Sequence, residues 1–175
     1  PATSVSPANN SHVVSVGATD ANNNIAGFSS RGPSACDGSV FPKIVAPGDA
    51  VWTTDLSLGG QLNFAYVSGT SFAAPQVAGV IALVRGALPT ATAAEVEASL
   101  AATATDLGDL GPDASFGYGL VNAVAAFDAL AHPVDEDEDG YPINRDCNDH
   151  DASVHPGAQE VVRDGVDQDC NGFDL

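Results

Sequence analysis

Short apolar runs broken by glycine, proline and small polar residues fill the chain up to Ser68, and from Ser71 onward the apolar period lengthens from two to about 3.6 residues. Residues 12–18, His-Val-Val-Ser-Val-Gly-Ala, read as a short buried strand, with 25–30 and 44–46 as further extended pieces. Pro47-Gly48 then turns the chain. Residues 50–54 and 63–68 are β-like, and Gly59-Gly60 between them predicts a hairpin. After Ser71, the residues Phe72, Val77, Val80, Ile81 and Val84 make a helix that is apolar almost all round, a pattern that predicts burial. Pro75 is expected in its first turn, where the missing amide hydrogen costs least. A second helix is predicted over 93–102, with Thr92 as N-cap and Glu95 completing a capping box. A third is predicted over 117–130. Short strands alternating with helices predict a layered α/β fold.

Composition divides the chain in two. Across 175 residues there are 23 acidic and 5 basic side chains, a formal net charge of −18 that argues against nucleic acid as a partner. Residues 1–133 carry net −7 and residues 134–175 net −11, so the tail is a different kind of segment, and domains are expected at 1–132 and 133–175. Hydrophobic residues make up 44 %, enough for one real core. The longest apolar run, 77–84, ends at Arg85, well short of the roughly 18 residues a membrane span requires. Cys147 and Cys170 stand as a pair in the small acidic unit, which suggests a disulfide and a secreted or cell-surface setting; two free thiols are the alternative. Cys36 is left alone. The chain opens at Pro1, holds no methionine and shows no leader, and is read as a piece of a longer protein.

The stretch richest in chemistry is Ser68-Gly69-Thr70-Ser71-Phe72-Ala73-Ala74-Pro75. It is a strand-to-helix turn that delivers the Ser71 hydroxyl to a helix N-terminus, where free amides and the positive dipole end stabilise an oxyanion. Gly69, Ala73 and Ala74 leave room for a substrate backbone. A serine before an apolar helix, taken alone, serves equally as an N-cap. The Gly-x-Ser-x-Gly elbow of the α/β-hydrolases does not fit, because Ala73 occupies its last glycine position.

The longer context resembles the subtilisin-like serine proteases, the subtilases. Gly69-Thr70-Ser71-Phe72-Ala73-Ala74-Pro75 with Val77-Ala78-Gly79 is similar to that family's nucleophile signature. Val16-Gly17-Ala18-Thr19-Asp20, Phe28-Ser29-Ser30-Arg31-Gly32-Pro33, Ala46-Pro47-Gly48 and Gly117-Tyr118-Gly119-Leu120-Val121-Asn122 match further family stretches in order. The resemblance implies a three-layer α/β fold with a parallel sheet, of which this chain supplies the C-terminal half. It also implies endopeptidase action on protein or peptide substrates, through an acyl-enzyme on Ser71. In the family's chain order of Asp, His, Ser, the base His, its Asp and the oxyanion Asn are expected upstream of residue 1. His12 is read as structural, embedded in the first strand. The Ser71 amide would supply half of the oxyanion hole. Two residues depart from the family pattern: Gln76 stands where His is frequent, and Lys43 where an Asp commonly helps to hold a weak cation beside the loop at 7–13. Lys43 is expected either to place its ammonium there or to lie solvated on the surface.

In the tail, Asp135, Asp137, Asp139, Gly140 and Asp146 occupy positions 1, 3, 5, 6 and 12 of a calcium loop, in which alternate carboxylates wrap a hard cation and glycine permits the turn. Asp167, Asp169, Asn171 and Gly172 repeat the first part of the pattern. The segment resembles the metal-binding repeats of bacterial secreted and surface proteins, some of which are linked to copper. Oxygen donors dominate and favour calcium, although His150 and His155 are present. Expected ligands are Asp135, Asp137, Asp139, the Tyr141 carbonyl and Asp146, then Asp167, Asp169 and Asn171, with Asp149 or Asp151 completing a shell. A solvated acidic linker, a pseudoprotease and a calcium-binding surface or adhesion protein are the competing readings.

Overall fold

The computed structural model of the chain describes residues 3–10, 12–56, 59–60, 63–143 and 145–174. The chain forms two compact units, Pro1–Leu130 and Ala131–Leu175.

In the first unit, β1 (Val16–Thr19) and β2 (Ile44–Pro47) pair in parallel, with Val16 opposite Ile44 and Thr19 opposite Pro47. Residues 119–121 extend the sheet on the far side of β2, where the Val45 amide donates to the Gly119 carbonyl at 2.9 Å and the Val121 amide to the Val45 carbonyl at 3.0 Å. β2 is therefore central and buried on both faces, which is why 44–46 reads as an unbroken apolar run. β3 (Val51–Asp55) and β4 (Asn63–Val67) form the expected antiparallel hairpin, pairing Val51 with Val67 and Asp55 with Asn63. Gly59 and Gly60 lie between them with positive φ; positions 57, 58, 61 and 62 of the predicted turn lie outside the described residues.

α1 (Thr70–Ala87) packs on β1 and β2, and α2 (Ala93–Ala102) packs on α1. The core joins Ala18, Ile44 and Ala46 of the sheet to Ala73, Val77 and Val84 of α1, Val96 and Leu100 of α2, and Ala126 of α3 (Ala123–Ala131). Full burial of a side chain such as Val77 stabilises by about 1.5–3 kcal/mol. α2 starts as predicted, with the Glu95 amide donating to Thr92 Oγ1 and the Thr92 amide to the Glu95 carboxylate. The Ser99 hydroxyl ties α2 to the Ala126 carbonyl at 2.7 Å.

Five sequence expectations are corrected. The first strand begins at Val16 rather than at residue 12, since His12 is exposed and left-handed with φ 63°; that backbone cannot lie in a strand. Residues 25–30 are not a strand. Asp20 accepts the amides of Asn22 and Asn24, both at 2.8 Å, and the resulting turn carries the chain to a single bridge between Thr19 and Ile25. The third helix starts at Ala123, because Gly117 and Gly119 hold positive φ and 119–121 is spent on the sheet. Asn122 opens it instead, its side chain accepting the Ala125 amide at 3.1 Å. α1 is not buried all round: one stripe meets the sheet, while Leu83 on the outer side is 73 % exposed. Finally, α1 begins at Thr70, so Pro75 lies beyond the first turn, and the Ser71 carbonyl has no amide four residues on.

Beyond Ala131, which ends α3, the second unit has no helix or strand among its described residues. Cys147 and Cys170 are joined, with Cα atoms 5.7 Å apart, and Cys36 of the first unit is free and exposed. Among its described residues Val154, Asp149 and Gln168 are buried, and the Tyr141 and His155 rings stack at 4.8 Å. With so thin an apolar interior, turns built on aspartate side chains carry much of the structure.

Candidate functional sites

Ser71 is the second residue of α1 and is exposed, and no other described residue hydrogen-bonds its hydroxyl. Gly69 is the N-cap position, and no side chain caps this end; its φ of 155° and ψ of 154° form a corner of backbone space that residues with a β-carbon avoid. Gly69 thus makes the abrupt exit from β4 that puts Ser71 on the helix end. The Gly69 amide donates to the Gly48 carbonyl at 2.7 Å. Ser68 Oγ donates to Asp49 at 2.6 Å while accepting the Ala50 amide at 3.0 Å. These bonds fix the turn before the serine to the end of β2. Around Ser71, Ala73 is wholly buried against the sheet and Ala74 is exposed, so the serine's surroundings are small. An unpartnered hydroxyl beside the open, uncapped first turn of a well-packed helix can attack an electrophile whose developing negative charge meets that helix end.

Lys43 borders a cavity of about 430 Å³ together with Asn9, His12, Asp37 and Tyr118. Its ammonium is neither free nor simply solvated, for it pairs with Glu97 of α2.

In the second unit, ligand atoms of Asp135, Asp137 and Asp139 lie within 4.8 Å of one another. Each carboxylate gives one oxygen to a loop amide: Gly140 to Asp135, Asp139 to Asp137, and Tyr141 to Asp139. The other oxygen of each is shut off from solvent and has no partner, and the same holds for one oxygen of Asp146, whose second oxygen accepts the Asn148 amide. Asp149 is only 5 % exposed and both its oxygens are unpartnered. Burying ionised carboxylates without a counter-charge is expensive, so this donor set fits a hard cation held by oxygen. Burial pushes the Asp137 carboxyl above its ordinary range, with the charges of Asp139, Asp146 and Asp135 adding to the effect.

Asp167 and Asp169 come together with Glu160, again within 4.8 Å. Glu160 accepts the Asp169 amide with one oxygen, and its other oxygen is buried and unpartnered. The sequence pattern missed Glu160 because it stands alone, seven positions before Asp167 and outside any alternating run. Asn171 is occupied within its own loop: its side-chain amide donates to Asp169 and its oxygen accepts the Phe173 amide. Asp151 is exposed and caps a turn through Ser153, which holds its carboxyl below the usual range; it joins none of the clusters. Of Tyr141, the amide and ring are engaged as described. His150 pairs with Glu136 at 3.3 Å, and its imidazole pKa is raised, first by the Asp149 backbone and then by Glu136. Neither His150 nor His155 belongs to a cluster among the described residues.

The family model described as "Subtilase family" matches residues 1–119, and the chain belongs to that family. A second model, described as "Putative metal-binding motif", matches residues 146–174. Subtilisin DY of Bacillus licheniformis is 39 % identical over 120 residues, covering 69 % of this chain and 39 % of that protein. Bacillopeptidase F of Bacillus subtilis is 32 % identical over 169 residues, covering 94 % of this chain but 12 % of its own length. Among solved structures, the Clostridium perfringens CspB protease superposes with a TM-score of 0.62 at 30 % identity, covering 73 % of this chain and 29 % of that one. The parallel strands and the helices packed on them are thus part of a subtilisin-like α/β fold, and the chain spans well under half the length of these relatives.

Proposed function

We propose that the first unit carries the nucleophile half of a serine endopeptidase domain, with Ser71 as the attacking residue. The observation that carries this reading is the unpartnered Ser71 hydroxyl on an uncapped helix N-terminus, inside a chain of the subtilase family. Ser71 Oγ adds to the carbonyl carbon of the scissile peptide bond, and its proton passes to a histidine base contributed by the upstream part of the domain. The Ser71 amide donates to the oxyanion, with an upstream asparagine as the second donor. Collapse of the tetrahedral intermediate expels the amine, which takes up the proton from the histidine, and leaves an ester on Ser71 that water hydrolyses. In the full-length protein, Ser71→Ala should reduce hydrolysis of a peptide substrate to background. Equal turnover by the two proteins would contradict the assignment.

We further propose that the second unit binds calcium through Asp135, Asp137, Asp139, Asp146 and Asp149, and through Asp167, Asp169 and Glu160. Unpartnered oxygens of Asp135, Asp137, Asp139, Asp146, Asp149 and Glu160 support this reading, with Asp167 and Asp169 added by their nearness to Glu160, and the hardness of carboxylate oxygen favours calcium over copper. The Tyr141 carbonyl and Asn171 remain candidate donors; Asp151 is set aside. Bound calcium would neutralise the acidic loops. Together with the disulfide, this supports a secreted or cell-surface setting. Calorimetric titration of the metal-stripped chain should show saturable calcium binding that weakens when Asp137 and Asp139 become Asn. Absence of binding at millimolar calcium would leave a solvated acidic segment.

A further inference from the structure

We infer that Gln76 is a positioning residue for Ser71, an inference that rests on the reading of Ser71 as nucleophile. Pro75 lacks the amide hydrogen that would have bonded the Ser71 carbonyl, so α1 is short of one rung at the serine itself. No side chain caps the same end. The first turn therefore needs a tie to a point outside the helix, and the side chain of the residue after Pro75 makes it. The two N–H groups of the Gln76 amide are both used: Nε2 donates to the Phe72 carbonyl at 2.9 Å and to the Pro47 carbonyl at 2.6 Å. The first acceptor adjoins Ser71 and the second ends β2.

The grip is part of a pattern. Pro47, Gly48 and Asp49 are consecutive, and they accept from Gln76, Gly69 and Ser68 respectively. Ser71 lies between the donors, so the segment that bears it is clasped on both sides to one three-residue loop at the end of a buried strand. Gly69 and Ser68 hold the incoming chain; Gln76 alone of the three holds the helix side. Losing that contact frees the first turn to pivot about Gly69, which displaces a nucleophile whose rate depends on placement.

The chemistry required of residue 76 is two donated hydrogen bonds to two carbonyl oxygens. Glu has the same shape but, when ionised, no donor, and it would turn one oxygen toward both carbonyls; Lys keeps N–H donors of sufficient reach. In the full-length protein, Gln76→Glu should lower kcat for peptide hydrolysis about tenfold with KM changed less than about twofold. Gln76→Lys should keep kcat within about threefold of wild type. Hydrogen exchange at the Gly69 amide, which binds Gly48, should speed up in Gln76→Glu and not in Gln76→Lys. Wild-type kcat in Gln76→Glu, or equal impairment of both variants, would overturn the inference. If the wild-type protein hydrolyses no peptide, the reading of Ser71 fails by itself, and the Gly69 exchange rate still decides: unchanged exchange in Gln76→Glu overturns the clasp, and faster exchange upholds it.

Discussion

The Lys43 ammonium pairs with Glu97 across 54 positions of sequence, joining the residue before β2 to the middle of α2. Both side chains are about one-third exposed, at 35 % and 30 %, so solvent screens the pair. Glu97→Gln should therefore destabilise the chain by less than about 1 kcal/mol. The difference should shrink further in high salt. Chemical denaturation of both proteins at low and high ionic strength checks this; a loss of several kcal/mol would mean that Lys43 has a larger role at the neighbouring cavity.

That pair also marks where the sequence stopped being legible. Neither residue has a local signal for the other, and only the packing of α2 brings them together. What depended on neighbours a few positions apart was readable: the buried β2, the hairpin pairing, the Thr92–Glu95 cap, and the placement of Ser71 at a helix end. What depended on backbone handedness or distant partners was not. The left-handed His12 shortens β1, the Asp20 turn replaces a strand at 25–30, and the sheet claims 119–121 from the predicted helix. In the tail, the alternating aspartates announce themselves, while Glu160 joins Asp167 and Asp169 only once the chain has folded back.

The Asp20 turn gives a pH dependence of definite sign. Its carboxyl is held below the ordinary 3.8 by the Asn24 side chain first and by the Asn24 and Asn22 amides. A carboxyl whose folded pKa is depressed contributes its stability fully above the unfolded value and loses it as pH falls through the folded one. Asp20→Asn keeps acceptor atoms and removes the charge. The gap in thermal midpoint between wild type and Asp20→Asn should be widest at about pH 5 and above and close as the solution is taken below the ordinary Asp range. A gap independent of pH would show that the charge contributes nothing to the turn.

Calcium and the disulfide should act together. Asp146 lies beside the bonded Cys147 and Cys170, with its ligand atom within 4.8 Å of the sulfurs, so the bond that closes the unit also fixes one of the unpartnered carboxylates. With the cysteines 23 positions apart in sequence, the cross-link is worth roughly 3 kcal/mol on the chain-entropy account. Reduction should weaken calcium binding, and calcium should in turn slow reduction, since whatever binds the folded form stabilises it. Calorimetric titrations of the oxidised and reduced chain measure the first effect and timed thiol counting the second. Equal calcium affinity in both redox states would separate the two devices.

The central claim concerns one hydroxyl, and covalent labelling tests it most directly. The full-length protein should be treated with an active-site-directed fluorophosphonate, digested, and the adduct mapped by mass spectrometry. The account predicts a single phosphonylated residue, Ser71, with no adduct in Ser71→Ala. An adduct on another serine, or equal labelling of wild type and Ser71→Ala, would contradict it.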